Sequence, residues 1–201
     1  MPHPDPSLVL LVRHGATEWS AQGRHTGRTD LPLTEAGRRQ CGQLAPLVRR
    51  LIESRSLPPV VFTSGLRRAN ETAALTLPDH PAEETHMLLE VDYGDYEGLT
   101  NEQIVEHQPG WSVFTDGARG GESVAAISAR CDSFIAKIER VAVGRPVVAF
   151  THGHLSRFLT ARLLGLAPAS GVVFFNDTAT VGVIESRRGA LVLTGWNRTG
   201  P

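Results

Sequence analysis

Leu8-Val9-Leu10-Leu11-Val12-Arg13-His14-Gly15-Ala16-Thr17-Glu18-Trp19 is the stretch from which the rest of the chain can be read. Five consecutive apolar residues, Leu8 to Val12, suit a short strand buried on both faces, as an inner strand of a parallel sheet must be. The run stops at Arg13, His14 and Gly15, so a cation, an imidazole and a permissive backbone stand together at the carboxyl end of that strand. Ligands of open α/β sheets bind at this end. The residue types suggest a histidine nucleophile beside an arginine that holds an anion. A second apolar run, Val147-Val148-Ala149-Phe150, ends in the same way at Thr151-His152-Gly153. If the two strands are parallel neighbours, both histidines meet at one sheet edge. A lone histidine so placed is more often a satisfied half-buried residue; two strand-end His-Gly pairs, one with arginine attached, favour a site.

The remaining chain is consistent with an α/β domain. At 201 residues, with 41% hydrophobic and 20% charged residues, it reads as one soluble domain over residues 1–201, residues 1–6 forming a loose stub. A formal net charge of -1 gives no electrostatic reason to expect nucleic acid or a membrane as partner. The N-terminus lacks the pattern of a secretory signal and no segment is long and apolar enough to span a bilayer, so a cytoplasmic setting is expected. Cys41 and Cys131 each fall on the apolar stripe of a predicted helix, which suits reduced core thiols but leaves a disulfide between them open.

Thr34 is placed to cap a helix with the stripe Cys41, Leu44, Val48, Leu51, which Pro46 should kink or divide. Residues 59–63 read as a buried strand followed by a helix over 66–77. Residues 86–90 read as a short strand leading to a glycine- and acid-rich loop over 92–98. A small helix is expected over 100–107 and a loop or lid over 109–121. Residues 122–141 give the clearest helix, with Val124, Ile127, Cys131, Phe134, Ile138 and Val141 on one face. After the 147–150 strand comes a helix over 155–164, then a hairpin of 179–185 and 190–195 around Arg188-Gly189. Alternating strands and helices predict a three-layer α/β/α domain with a mainly parallel central sheet.

With Arg13-His14-Gly15 and Thr17-Glu18-Trp19 stand four further motifs: His25-Thr26-Gly27-Arg28-Thr29-Asp30-Leu31-Pro32-Leu33-Thr34, Ser64-Gly65-Leu66-Arg67-Arg68-Ala69-Asn70-Glu71-Thr72-Ala73, Glu90-Val91-Asp92-Tyr93-Gly94-Asp95-Tyr96-Glu97-Gly98, and Thr151-His152-Gly153. In kind and order these resemble the histidine phosphatase superfamily, with its phosphoglycerate mutase-like fold. The resemblance implies His14 as the nucleophile that accepts a phosphoryl group. It implies Arg13, Arg68 and His152 as holders of the phosphoryl oxygens, and Glu90 as proton donor to the leaving oxygen. Thr26 and Gly27 would line the substrate side.

Chemistry supports these roles independently. A histidine nitrogen is a competent nucleophile near neutral pH, and guanidinium forks match phosphate oxygens. Glu90 has to carry a proton to act as an acid. With the arginines supplying positive charge, the set requires no metal and no cofactor. His152-Gly153-His154 has the look of a metal motif, but alternate residues of an extended segment face opposite ways, and no carboxylate or cysteine stands at ligand spacing.

Between Gly98 and Glu122 the only arginine or lysine is Arg119, and Ser20 stands where the family has asparagine after the tryptophan. The cofactor-dependent mutases of the family carry a basic insertion in that region, so the resemblance favours a phosphatase acting on a small phosphorylated metabolite. The branch containing sedoheptulose-bisphosphatase and small acid phosphatases is closest in pattern. It implies substrate-binding positions at Ser20, Tyr93, Gly153 and Arg157, the last reaching a second phosphate or the sugar. A sugar bisphosphatase of narrow specificity, a phosphoglycerate mutase and a non-catalytic phosphate-binding relative are the alternatives. The C-terminal hairpin offers an edge on which a homodimer could form.

Overall fold

The computed structural model describes residues 6–200. In chain order its elements are β1 (Leu8–Arg13), α1 (Glu18–Ala21), α2 (Glu35–Glu53), β2 (Val60–Thr63), α3 (Arg67–Thr76), β3 (Glu83–Glu84), α4 (Asn101–His107), α5 (Val113–Asp116), α6 (Val124–Val141), β4 (Pro146–Thr151), α7 (Gly153–Leu163), β5 (Val181–Arg187) and β6 (Ala190–Arg198). The strands form one sheet in the order β3-β2-β4-β1-β5-β6. The β3-β2, β2-β4 and β4-β1 pairs are parallel, whereas β5 and β6 join antiparallel. The expected mainly parallel α/β/α architecture is therefore present, with an antiparallel hairpin closing one side.

The apolar runs at the centre of the sheet feed two cores by simple alternation. Leu8, Leu10 and Val12 of β1, with Val148 and Phe150 of β4, pack against Cys41, Leu44 and Val48 of α2. Val9, Leu11, Val147 and Ala149 face the other way, onto Phe134 and Ile138 of α6 and Phe158 of α7. Cys41 and Cys131 thus lie in different cores on opposite faces of the sheet, and both are free thiols. The hairpin turns where the sequence indicates, with positive φ at Arg188 and Gly189 (54° and 80°) as a two-residue type I′ turn requires.

Several expectations need correction. Of the loose stub, residues 1–5 lie outside the described residues, and Pro6 is buried. Helix α2 runs undivided through Pro46. Both Pro46 and Gly42, whose carbonyl loses its partner, are exposed, so water can satisfy that carbonyl and no polar group is stranded. Residues 86–90 are not a strand: Thr85 caps a 3₁₀ turn over His86–Leu88, and only Glu83–Glu84 pair with β2. The segment 109–121 is no open lid, since it contains α5 and buries Trp111, Val113, Phe114 and Ala118. Val141 is exposed, and the apolar face of α6 ends instead at the buried Ala142.

Behind the nucleophile position the chain comes unusually close to α2. A Cβ at Gly37 would lie 2.2 Å from the backbone oxygen of Ala16, and one at Gly15 would lie 2.6 Å from the oxygen of Gly37. Thr34 fastens the same point, its backbone N–H and its hydroxyl both donating to Ala16 O. Gly37→Ala should push α2 off the 14–17 turn and lower stability by about 1–3 kcal/mol. Thermal or urea unfolding measures this, and an unchanged midpoint would contradict the close approach.

Candidate active site

Parallel pairing of β1 with β4 places Arg13 opposite Thr151. His14 and His152 therefore leave the sheet at the same level, and their ring centroids lie 5.2 Å apart. His14 Nδ1 lies 2.7 Å from Gly15 O. A carbonyl can only accept, so Nδ1 carries the proton and Nε2 keeps its lone pair. Burial, reinforced by the charges of Arg68 and Arg13, holds the His14 imidazole well below its usual pKa, hence neutral.

His14 lies at a cavity of about 180 Å³ whose wall also includes Arg13, Ser20, Thr26, Glu90, Tyr93, Gly153 and Arg157. Arg13 donates from Nη1 to Asn176 O at 2.6 Å, while its buried Nε has no partner among the described residues. Gly153 is what admits this guanidinium, because a Cβ there would lie 3.2 Å from Arg13 Cζ. A half-buried guanidinium with so few partners at a cavity wall suits an anion.

Glu90 enters from the segment after the 3₁₀ turn and meets the N-terminus of α7. Its Oε1 accepts from Leu155 N (2.8 Å) and Val91 N (3.0 Å), and its Oε2 accepts from His154 N (3.0 Å). These α7 amides are orphan donors of the helix start, which a carboxylate satisfies well. With two partners on Oε1 and one on Oε2, the open lone pair for a transferable proton is on Oε2.

Arg68 and His152 do not line the cavity. Arg68 is fully buried. It donates from Nε to His152 Nδ1 (3.1 Å), from Nη1 to Thr29 O (2.9 Å), and from Nη2 to Thr26 O (3.1 Å) and Gly27 O (3.0 Å). Four of its five N–H groups thus fasten the 26–29 loop and His152, with one Nη1 hydrogen left over. Because His152 Nδ1 accepts, its proton sits on Nε2, 2.9 Å from Ser64 Oγ. Burial and Arg68 hold this imidazole well below its usual pKa too. Gly27 is likewise structural rather than a wall residue: its N–H donates to Glu97 at 3.0 Å, and a Cβ there would lie 2.4 Å from Val91 O. The hydroxyl of Ser20 reaches the wall but is engaged with Thr17 in the cap of α1.

The outer wall holds residues the sequence reading left without a role. His25 and His154 stack at 5.5 Å with 23° between rings, and the Tyr93 hydroxyl bonds His154 Nδ1. Burial keeps both imidazoles below their usual pKa and pushes the Tyr93 hydroxyl well above its own, so all three are neutral here. His25 was legible as the first residue of a matched motif. His154 was hidden by treating 152–154 as extended, whereas α7 begins at Gly153 and turns His154 to the cavity. Arg157 packs its guanidinium 4.3 Å from the Phe114 ring centroid and donates to Gly171 O and Val172 O, which leaves donors free at the wall. Burial lowers its pKa to about 10, still charged at neutral pH. Arg24, Phe175 and Asn176 complete the rim without any sequence signal. Among the described residues no group of three or more His, Cys, Asp or Glu side chains is arranged to hold a metal ion, and no helix is long and apolar enough to cross a membrane.

Known proteins are similar to this chain in sequence and in fold. An acid phosphatase of Mycobacterium tuberculosis is 41% identical over 194 residues, covering 96% of this chain and 93% of that protein. The sedoheptulose 1,7-bisphosphatase of Saccharomyces cerevisiae is 34% identical over 191 residues, covering 80% and 70%. A solved structure of a Mycobacterium tuberculosis open reading frame superposes with a TM-score of 0.89 at 39% identity, covering 96% of this chain and 98% of that one. The sequence pattern of one family, the histidine phosphatase superfamily (branch 1), matches residues 9–199, and the chain belongs to that family.

Proposed function

We propose that this protein is a phosphatase, a phosphoric monoester hydrolase that releases phosphate from small phosphorylated metabolites through a phosphohistidine at His14, without a metal ion. One observation carries this reading: the proton of His14 is committed to Gly15 O, so a neutral Nε2 lone pair stands at a cavity whose wall also holds the Arg13 guanidinium and the Glu90 carboxyl, with one lone pair of Oε2 open. Nε2 attacks phosphorus in line, the bond to the ester oxygen breaks, and Glu90 gives that oxygen its proton. Water then attacks the phosphohistidine while the Glu90 carboxylate takes the proton of the water. Phosphate leaves, His14 returns neutral and Glu90 is protonated again. Arg13 at the wall, with the charge of the buried Arg68 behind it, offsets charge on the phosphoryl oxygens.

The names of the acid phosphatase and the sedoheptulose 1,7-bisphosphatase are those of phosphomonoesterases, and they differ in substrate. For this chain we favour acid-phosphatase-like activity on small phosphorylated metabolites. Arg157 and the neutral aromatic wall of Tyr93, His25 and His154 would receive the organic part or a second anionic group.

His14→Ala removes the nucleophile, so phosphate release from p-nitrophenyl phosphate in excess chelator should fall to background; retained turnover would eliminate the phosphohistidine route. Glu90→Gln should cost about 10²–10⁴-fold on sugar phosphates, whose alkoxide needs a proton, and much less on p-nitrophenyl phosphate. Equal losses would remove Glu90 from the acid role. Because burial and the two arginines depress the pKa of His14 in the free enzyme, the nucleophile stays unprotonated as pH falls through 6.5. A pH profile of kcat/KM should accordingly keep its activity below that point, and a loss centred at the ordinary histidine value would contradict the depressed pKa.

A further inference from the structure

The segment that carries Glu90 has no ladder to hold it, because β3 ends at Glu84, the 3₁₀ turn His86–Leu88 stops before the acid, and the next turn, Gly94–Tyr96, begins after it. Side chains hold it instead, and most of the work falls to one arginine on α6. Arg130 donates from Nη1 to Leu89 O (2.6 Å) and Met87 O (3.1 Å), and from Nη2 to Glu90 O (3.4 Å). Its remaining N–H groups form a fork on Glu122, Nε to Oε1 at 2.9 Å and Nη2 to Oε2 at 2.7 Å. All five donors of the guanidinium are therefore in use. Glu122 Oε2 also accepts from Asp92 N at 2.9 Å, and Glu122 N donates to Asp92 O at 2.9 Å. The pair is largely shielded, with side-chain exposures of 15% and 16%, and neither residue lines the cavity.

We propose that Arg130, held by Glu122, is a positioning residue for the Glu90 proton donor: Arg130 grips the backbone before and at the acid, Glu122 grips it after the acid at Asp92, and Oε2 is thereby aimed at the leaving oxygen. This inference rests on the phosphatase reading. The planar fork is what the position needs: three carbonyls and a carboxylate converge on one guanidinium, and a lysine ammonium at the same place has three donors and no plane. An arginine acting only on overall stability would affect every substrate alike. One that aims Glu90 should matter only where the leaving group needs its proton.

Arg130→Lys should lower kcat on sugar or alkyl phosphates roughly 10–100-fold, the scale expected of a small misplacement of a catalytic group, with KM little changed. Turnover of p-nitrophenyl phosphate should stay within about twofold, because that leaving group departs without a proton. In a Glu90→Gln background the same substitution should cost nothing further on the alkyl substrate. Glu122→Gln, which keeps the volume and breaks the fork, should reproduce the pattern and decides the matter if Arg130→Lys does not fold. Equal losses on both substrates, losses that add to Glu90→Gln, or no loss at all would overturn the positioning role while leaving a His14-dependent phosphatase intact. Absence of wild-type turnover on both substrates would remove the phosphatase reading and this inference with it.

Discussion

The parallel pairing of β1 and β4 is the constraint on which the site depends. Its register sets Arg13 opposite Thr151, and the next residue of each strand is a histidine. Nothing local to either motif brings the two imidazoles together; the sheet does. Hydrophobic burial fixes that register, because a one-residue slip would turn Leu8, Leu10 and Val12 away from the α2 core and exchange them with Val9 and Leu11. The chemistry at the carboxyl edge is thereby secured by packing well below it.

Two cations are then buried beside the histidines, and burial of charge is costly unless polar partners replace water. The fold meets this cost differently at the two positions. Arg68 is surrounded by acceptors, with three carbonyls and one imidazole taking four of its hydrogens. It stabilises the 26–29 loop and lends its charge to the site from behind. Arg13 has a single carbonyl partner and a buried Nε with none among the described residues. Its solvation is incomplete, and an arriving anion would complete it. The positive field that adds to burial in keeping His14 and His152 neutral thus comes from one arginine with nearly all its donors paired and one with few partners.

The central strands, the helix cap at Thr34 and the hairpin turn were legible because each rests on local pattern. His14, Arg13 and Glu90 were legible as residues of matched motifs. What escaped was set by tertiary context. Nothing in 86–90 announces that the chain must swing away from β2 to deliver Glu90 to α7, and its apolar residues look like any short strand. The glycines of 109–121 suggest looseness, yet Gly94 and Gly121 are needed for close backbone contact, a Cβ on Gly121 lying 2.1 Å from Asp92 O. Treating 152–154 as extended put His154 on the wrong side. Arg68 was found, but its hydrogen-bond partners lie 39 to 84 residues away, and no motif states that they consume most of its donors.

Glu90, the proposed proton donor, sits where three unrelated pieces of chain are brought together. Its carboxylate closes the start of α7, its backbone is gripped from α6, and its side chain shares a wall with His14, the proposed nucleophile at the end of β1. Each contact has an ordinary structural rationale: an orphan amide satisfied, a carbonyl paired, a core filled. Their combination leaves Glu90 little freedom except in the one lone pair of Oε2 that no backbone group occupies. In phosphoryl transfer the protein does little covalent work beyond holding groups in line. A rigid acid opposite a rigid, neutral imidazole is what such chemistry asks for; here a backbone carbonyl fixes the imidazole, while backbone amides fix the carboxylate and the Arg130 fork fixes the backbone that carries it.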